Sequence, residues 1–218
     1  MPTSEKVRFV LVRLCECEGN ERKLVSCHGK LTQRGRVQAV ATRNRLCGME
    51  LMKWVSPNNT ACLETARILA DGRPVTVMDE FHEPPYPEWS GLSESEVKQR
   101  WPAEFDQCMH PKPGDAARVV VPGGESLRAT FERAQSGLER LHEQYAGQGS
   151  IGIVSHGEVV RLIVVGLLGS PLENLFKIGG RNGSITVFEY EGAAARFECV
   201  NDSSHLAFSE DLGERLRT

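Results

Sequence analysis

The chain lacks any apolar stretch long enough to cross a bilayer. Its longest, Leu162 to Leu168, falls far short of the roughly 20 residues a spanning helix needs. No apolar h-region follows the opening Met-Pro-Thr-Ser-Glu-Lys, so no secretory signal is expected. No basic block dominates and the net charge is −3. That argues against a nucleic-acid partner. No internal repeat or low-complexity segment appears. The Cys-x-x-Cys knuckle of common zinc sites is also missing. The seven cysteines are odd in number. Without an export signal they are expected to be reduced thiols in a cytoplasmic protein. What remains is ordinary for a globule, with 40% hydrophobic and 25% charged residues. The expectation is a single domain over residues 1–218.

Hydrophobic periodicity divides the chain into alternating strands and helices. Val7 to Val12 is apolar and largely β-branched, and predicts a buried strand ending at Arg13. Thr32 is a candidate N-cap for a helix to about Leu46, with Val37, Val40 and Ala41 on one face and Gly48 near its end. Leu51 to Val55 predicts a strand. Thr60 to Ala70 predicts a helix closed by Asp71-Gly72, and Pro74 to Met78 a short strand. Residues 81–124 are rich in Pro and Gly, with one helix near Ser93–Arg100. Glu125 to Tyr145 is the longest helical pattern, with Leu127, Phe131, Ala134, Leu138 and Leu141 spaced at three and four. Ser150 to Val154 predicts a buried strand, followed by a helix over Glu158 to Leu168. Ser184 to Tyr190 and Ala195 to Val200 alternate, and predict a hairpin around Glu191-Gly192. This order predicts an α/β fold, a central mostly parallel sheet with helices on both faces. Ligands in such sheets lie at the carboxyl ends of strands, where Arg13 and His156 both fall.

The motifs at the strand ends resemble one family. After the first strand come Arg13, Glu16 and Asn20. Leu31-Thr32-Gln33-Arg34-Gly35 and Gln38-Ala39 follow, then Val55-Ser56-Pro57 and Glu64-Thr65-Ala66. Glu83 precedes Trp89 and Gly91-Leu92. Pro122-Gly123-Gly124-Glu125-Ser126 opens the long helix. Val154-Ser155-His156-Gly157, Asn182-Gly183-Ser184-Ile185 and Asn201-Asp202 with His205-Leu206 complete the series. In this order they resemble the histidine phosphatase, or phosphoglycerate mutase-like, superfamily over roughly residues 7–206. The resemblance implies a three-layer α/β/α sandwich in which residues 81–124 cap the pocket. It implies a phosphate site of two arginines and two histidines, one histidine being the nucleophile.

Part of that site is absent. The family's Arg-His-Gly-Glu-Thr reads Arg13-Leu14-Cys15-Glu16-Cys17 here, so the nucleophile's position holds Leu14. Leucine has no lone pair with which to take a phosphoryl group. No arginine follows Ser56-Pro57, where the chain reads Asn58-Asn59-Thr60-Ala61-Cys62. Arg67, later on the same helix, reads as a solvated residue. Arg13 matches the first arginine and His156-Gly157 the second histidine and its glycine. Asn20 is either a phosphate contact or a turn residue. Glu83 is either the family's proton donor, with its pKa raised by burial, or a surface glutamate. Pro84, Pro85 and Pro87 stiffen its loop. Cys15 could pair with His156 as a nucleophilic thiolate, or simply fill space. A metal site from Cys15, Cys17, Cys27 and His28 is the lesser alternative.

The reading that follows is a homologue without the phosphohistidine nucleophile, a pseudophosphatase that binds a small anionic or phosphorylated ligand. The alternative is a repurposed enzyme using His156 and Glu83 as an acid–base pair, with Cys15 as nucleophile. No cofactor, metal, nucleic acid or membrane is expected, and a homodimer is left open.

Overall fold

The computed structural model describes residues 6–26, 29–192 and 194–207. In chain order the elements are β1 (Val7–Arg13), α1 (Glu18–Glu21), α2 (Gln33–Arg45), β2 (Leu51–Ser56), α3 (Thr60–Ala70) and β3 (Val75–Val77). Then come α4 (Glu94–Arg100), α5 (Pro102–Met109), α6 (Leu127–Tyr145), β4 (Ser150–Ser155), α7 (Gly157–Leu167), β5 (Ile185–Glu191) and β6 (Ala194–Asp202). The strands form one sheet in the order β3-β2-β4-β1-β5-β6. The pairs β3–β2, β2–β4 and β4–β1 are parallel, while β1–β5 and β5–β6 are antiparallel. The sheet is therefore mostly parallel with an antiparallel hairpin at one edge.

Side chains of β1 alternate between two cores, as a strand's period of two requires. Val10 and Val12 bury against Ala39, Ala61, Ala66 and Leu69 of α2 and α3. Phe9 and Leu11 bury against Ala134, Leu138, Val159 and Ile163 of α6 and α7. This double coverage explains why β1 is continuously apolar from Phe9 to Val12. β4 is buried along its whole length.

Local chemistry sets most of the boundaries. The Thr32 side chain accepts from Gly35 N and starts α2, while Asn59 accepts from Ala61 N and Cys62 N and starts α3. Asp71, in the left-handed conformation, ends α3. Two expectations are corrected. The buried face of α2 is Gly35, Gln38, Ala39 and Thr42. Val40 is 41% exposed, and Val37 and Ala41 are half-buried. Residues 81–124 hold a second helix, α5, begun by Pro102 at its first turn.

Gly35 explains the inverted face. A Cβ there would overlap the Glu16 carbonyl, so α2 lies directly on the loop that follows β1. That loop is held from several sides. Glu16 N donates to Gln38 Oε1 at 2.9 Å, Thr32 N donates to Glu16 O at 3.0 Å, and Thr32 Oγ1 donates to Glu16 Oε1 at 2.7 Å. Overpacking such a contact costs about 1–3 kcal/mol. Gly35→Ala is therefore expected to destabilise by that amount in urea unfolding. Exposed Val40→Thr should stay within about 0.5 kcal/mol of the wild type. Equal stability of the two variants would contradict the account of how α2 is seated.

Candidate anion-binding site

β1 and β4 end side by side, with Arg13 opposite Ser155. Beyond this edge the chain leaves a cavity of about 270 Å³ whose lining includes Arg13, Leu14, Asn20, Glu83, His156, Gly157, Glu158 and Arg161. Tyr86, Trp89, Phe105, Cys108 and Met109, all from residues 81–124, line it too.

The strand end is pinned by backbone bonds. Leu14 N donates to Ser155 O at 2.9 Å and Arg13 N to Ser184 O at 3.0 Å. Asn182 Nδ2 donates to Leu14 O at 2.9 Å and to Asn20 Oδ1 at 3.0 Å. Asn20 Oδ1 also accepts from Cys17 N at 3.2 Å. The Asn20 side-chain carbonyl thus holds the loop, and Asn20 is among the residues that line the cavity. The Arg13 guanidinium donates to Gly180 O and lies against Gly157, where a Cβ would stand 2.8 Å from Nε. Glycine at the first position of α7 gives the arginine its place. His205 braces the turn that binds the strand end, with Nε2 3.1 Å from both Thr42 Oγ1 and Gly183 O.

His156 caps α7 and is 2% exposed. Its Nδ1 lies 3.4 Å from Glu83 Oε2, at ion-pair distance but without hydrogen-bond alignment. Its Nε2 lies 3.4 Å from Cys62 Sγ. Burial lowers the pKa of His156, but Cys62 and Glu83 outweigh it, and the net shift is upward. The prolines after Glu83 leave its carboxylate facing the imidazole.

Cys15 does not take the place considered for it. Its backbone N–H donates to Thr65 Oγ1 at 3.2 Å. Burial pushes its thiol up to about 12, against hydrogen bonds with Thr65 and Thr42. The thiol that faces His156 is Cys62, on the first turn of α3. Leu14 is buried at 2% exposure in the same cluster as Cys15 and Cys62. No arginine stands on that first turn, and Arg67 is exposed in the last turn of α3. Among the described residues no three of His, Cys, Asp and Glu group to hold a metal. Cys27 and His28 lie outside the described residues.

Sequence reasoning passed over Cys62, Tyr86, Glu158 and Arg161. Only Cys62, six residues after Ser56, left a trace, since it lies in the stretch searched for an arginine. Glu158 accepts from Tyr86 Oη at 2.7 Å. Burial pushes Glu158 up to about 7, against the Tyr86 bond, with Glu83 adding to the rise. Arg161 is lowered by burial, with Glu158 opposing.

With this geometry described, known proteins place the chain in a class. The profile of the histidine phosphatase superfamily (branch 1) matches residues 9–203. The chain belongs to that superfamily. It is 28% identical over 205 residues to phosphoserine phosphatase 1 of Hydrogenobacter thermophilus, covering 92% of this chain and 94% of that protein. It is 28% identical over 183 residues to glucosyl-3-phosphoglycerate phosphatase of Mycolicibacterium vanbaalenii, covering 79% of each. Among solved structures, YhfR of Bacillus stearothermophilus superposes with a TM-score of 0.82 at 25% identity, over 92% of this chain and 99% of that one. A phosphoserine phosphatase mutant from Entamoeba histolytica, in complex with phosphoserine, gives 0.79 at 23% identity, over 92% and 99%. Among the described residues no helix is long and apolar enough to cross a membrane.

The raised Glu158 has a pH consequence. Its folded pKa of about 7 exceeds its ordinary 4.5, so the folded state holds the proton more tightly. Its relative stabilisation is full below about pH 4.5 and is lost as pH rises through about 7. Glu158→Gln, which stays neutral, should gain on the wild type by on the order of 2–3 kcal/mol between pH 5 and pH 8. Urea unfolding at both pH values checks this. A constant difference would show that Glu158 is not held protonated.

Proposed function

We propose that this chain binds a small phosphorylated or anionic ligand in the cavity beneath residues 81–124, as a pseudophosphatase that does not use the superfamily's phosphohistidine chemistry. Leu14 carries this reading. It occupies the position that the resemblance assigns to the nucleophile, and a hydrocarbon side chain cannot form a bond to phosphorus. The first turn of α3 supplies no cation in place of the arginine missing after Ser56-Pro57, which removes further transition-state stabilisation. The groups that bind an anion persist. Arg13 and Asn20 line the cavity, and α7 begins at its edge with Gly157. The relatives are named for phosphomonoester substrates, which supports that ligand class here.

The test is turnover against labelling. p-Nitrophenyl phosphate should be hydrolysed at no more than a trace rate. No acid-labile phosphohistidine should form after exposure to a phosphoryl donor. Rapid turnover that is lost in His156→Ala would overturn the reading.

One contact favours a second reading, the distance of 3.4 Å between Cys62 Sγ and His156 Nε2. With Glu83 on the other ring nitrogen, the order is thiol, imidazole, carboxylate, an arrangement used in nucleophilic catalysis. In this reading the repurposed enzyme uses Cys62 rather than Cys15. Against it, Cys62 is fully buried, and buried thiols are usually inert. Residue-resolved iodoacetamide labelling of the native protein separates the readings. The first expects Cys62 and Cys15 both to react more slowly than exposed Cys47. The second expects Cys62 to react fastest, and to lose that advantage in His156→Ala.

A further inference from the structure

The arginine missing from α3 leaves the site with one assigned cation, yet a second guanidinium stands in the same cavity. Arg161 lies one turn into α7, beyond His156-Gly157. A Cβ at Gly180 would stand 3.4 Å from Arg161 Nε and 3.6 Å from Arg13 Nη1. The two guanidiniums therefore converge on one backbone position, each within van der Waals reach of it. Arg161 Nε is buried and has no hydrogen-bond partner among the described residues. Its guanidinium lies over the Phe176 ring, 5.4 Å from the centroid, which fixes the side chain by stacking rather than by an acceptor. Of the nearby carboxylates, Glu83 lies against His156, and Glu158 accepts from the Tyr86 hydroxyl while acting on Arg161 only through its charge, without a hydrogen bond. Two like charges held close, one with a buried donor unused, are costly in isolation and favourable around an anion.

The cavity also has an aromatic lining. Tyr86 and Trp89 stack with centroids 5.9 Å apart and ring planes 6° apart. Phe105 lies 6.4 Å from Trp89. These rings line the same cavity as Arg13 and Arg161.

Resting on the anion-binding reading above, we propose that Arg161 is the second cation of this site, and that its ligand is a phosphomonoester with an aromatic or apolar substituent. The phosphoryl group lies between Arg13 and Arg161 at the start of α7, and the substituent lies on the Tyr86–Trp89 wall. Two planar forks suit a phosphoryl dianion, because each can donate two parallel hydrogen bonds.

Calorimetric titration of the full chain with phenyl phosphate and with inorganic phosphate tests this. The wild type should bind phenyl phosphate at least about tenfold more tightly than inorganic phosphate, as expected when a phenyl ring is buried. Arg161→Met should weaken phenyl phosphate binding by about tenfold or more, the scale of a lost charge-assisted bond. Arg161→Lys should recover part of that loss. Undiminished binding by Arg161→Met, with binding abolished in Arg13→Met, would overturn the role of Arg161 and leave the anion-binding reading standing. Equal affinity for the two probes would overturn the aromatic substituent. No binding of either probe by the wild type would overturn both this proposal and the reading beneath it. Phenylglyoxal labelling of the wild type removes dependence on any variant's folding. Phenyl phosphate should protect Arg161 but not exposed Arg67, and equal labelling of Arg161 with and without the probe would contradict the proposal.

Discussion

The site depends on where β1 stops. The strand lies between parallel β4 and antiparallel β5, so its last residues bond on both sides. Arg13 N reaches Ser184 O and Leu14 N reaches Ser155 O. This pairing fixes Arg13 beside the start of α7, where Gly157 leaves space for its guanidinium. The loop that follows is held by α2 through Glu16, and by Asn182 through Leu14 and Asn20. A side chain at position 14 therefore stands at the cavity's edge whatever its chemistry. In this chain it is leucine. Its burial among Cys15, Cys62 and Ala61 adds to the core, which gives the strand end a packing role.

Around that edge the charged groups divide into two sets. Glu83, His156 and Cys62 form one chain of contacts, which raises the imidazole's affinity for a proton. Arg13 and Arg161 form the other, near Gly180 and the start of α7. Between them Glu158, whose hold on a proton burial strengthens, is tied to Tyr86. A cavity lined by cations and by stacked rings suits binding and orientation. Forming a covalent bond to phosphorus needs a nucleophile in addition. Leu14 cannot serve, and Cys62 is fully buried.

Much of the fold was legible because its signals are local. Thr32 caps α2 by bonding a residue three positions on. Asp71 and Gly72 end α3 in positive-φ conformations. The apolar run at Val7–Val12 reports burial on both faces. What was not legible depends on contacts between distant segments. The apolar stripe of Val37, Val40 and Ala41 suggested one buried face, but Gly35 sets α2 on Glu16 and turns another face inward. The roles of Arg13, Asn20, Glu83 and His156 were suggested by motif. The choice between Cys15 and Cys62 was not, because only folding brings residue 62 against residue 156. Arg161 reads as an ordinary helix residue until its convergence with Arg13 is seen.

In the proposed function the pocket holds a phosphoryl anion without forming a covalent bond to it. A crystal structure with orthovanadate tests this directly, since vanadate takes a phosphate site and bonds to a competent nucleophile. A tetrahedral anion is expected beside Arg13, with no bond from vanadium to any side chain. A trigonal-bipyramidal vanadate bonded to His156 Nε2 or Cys62 Sγ, or a cavity that excludes vanadate altogether, would contradict it.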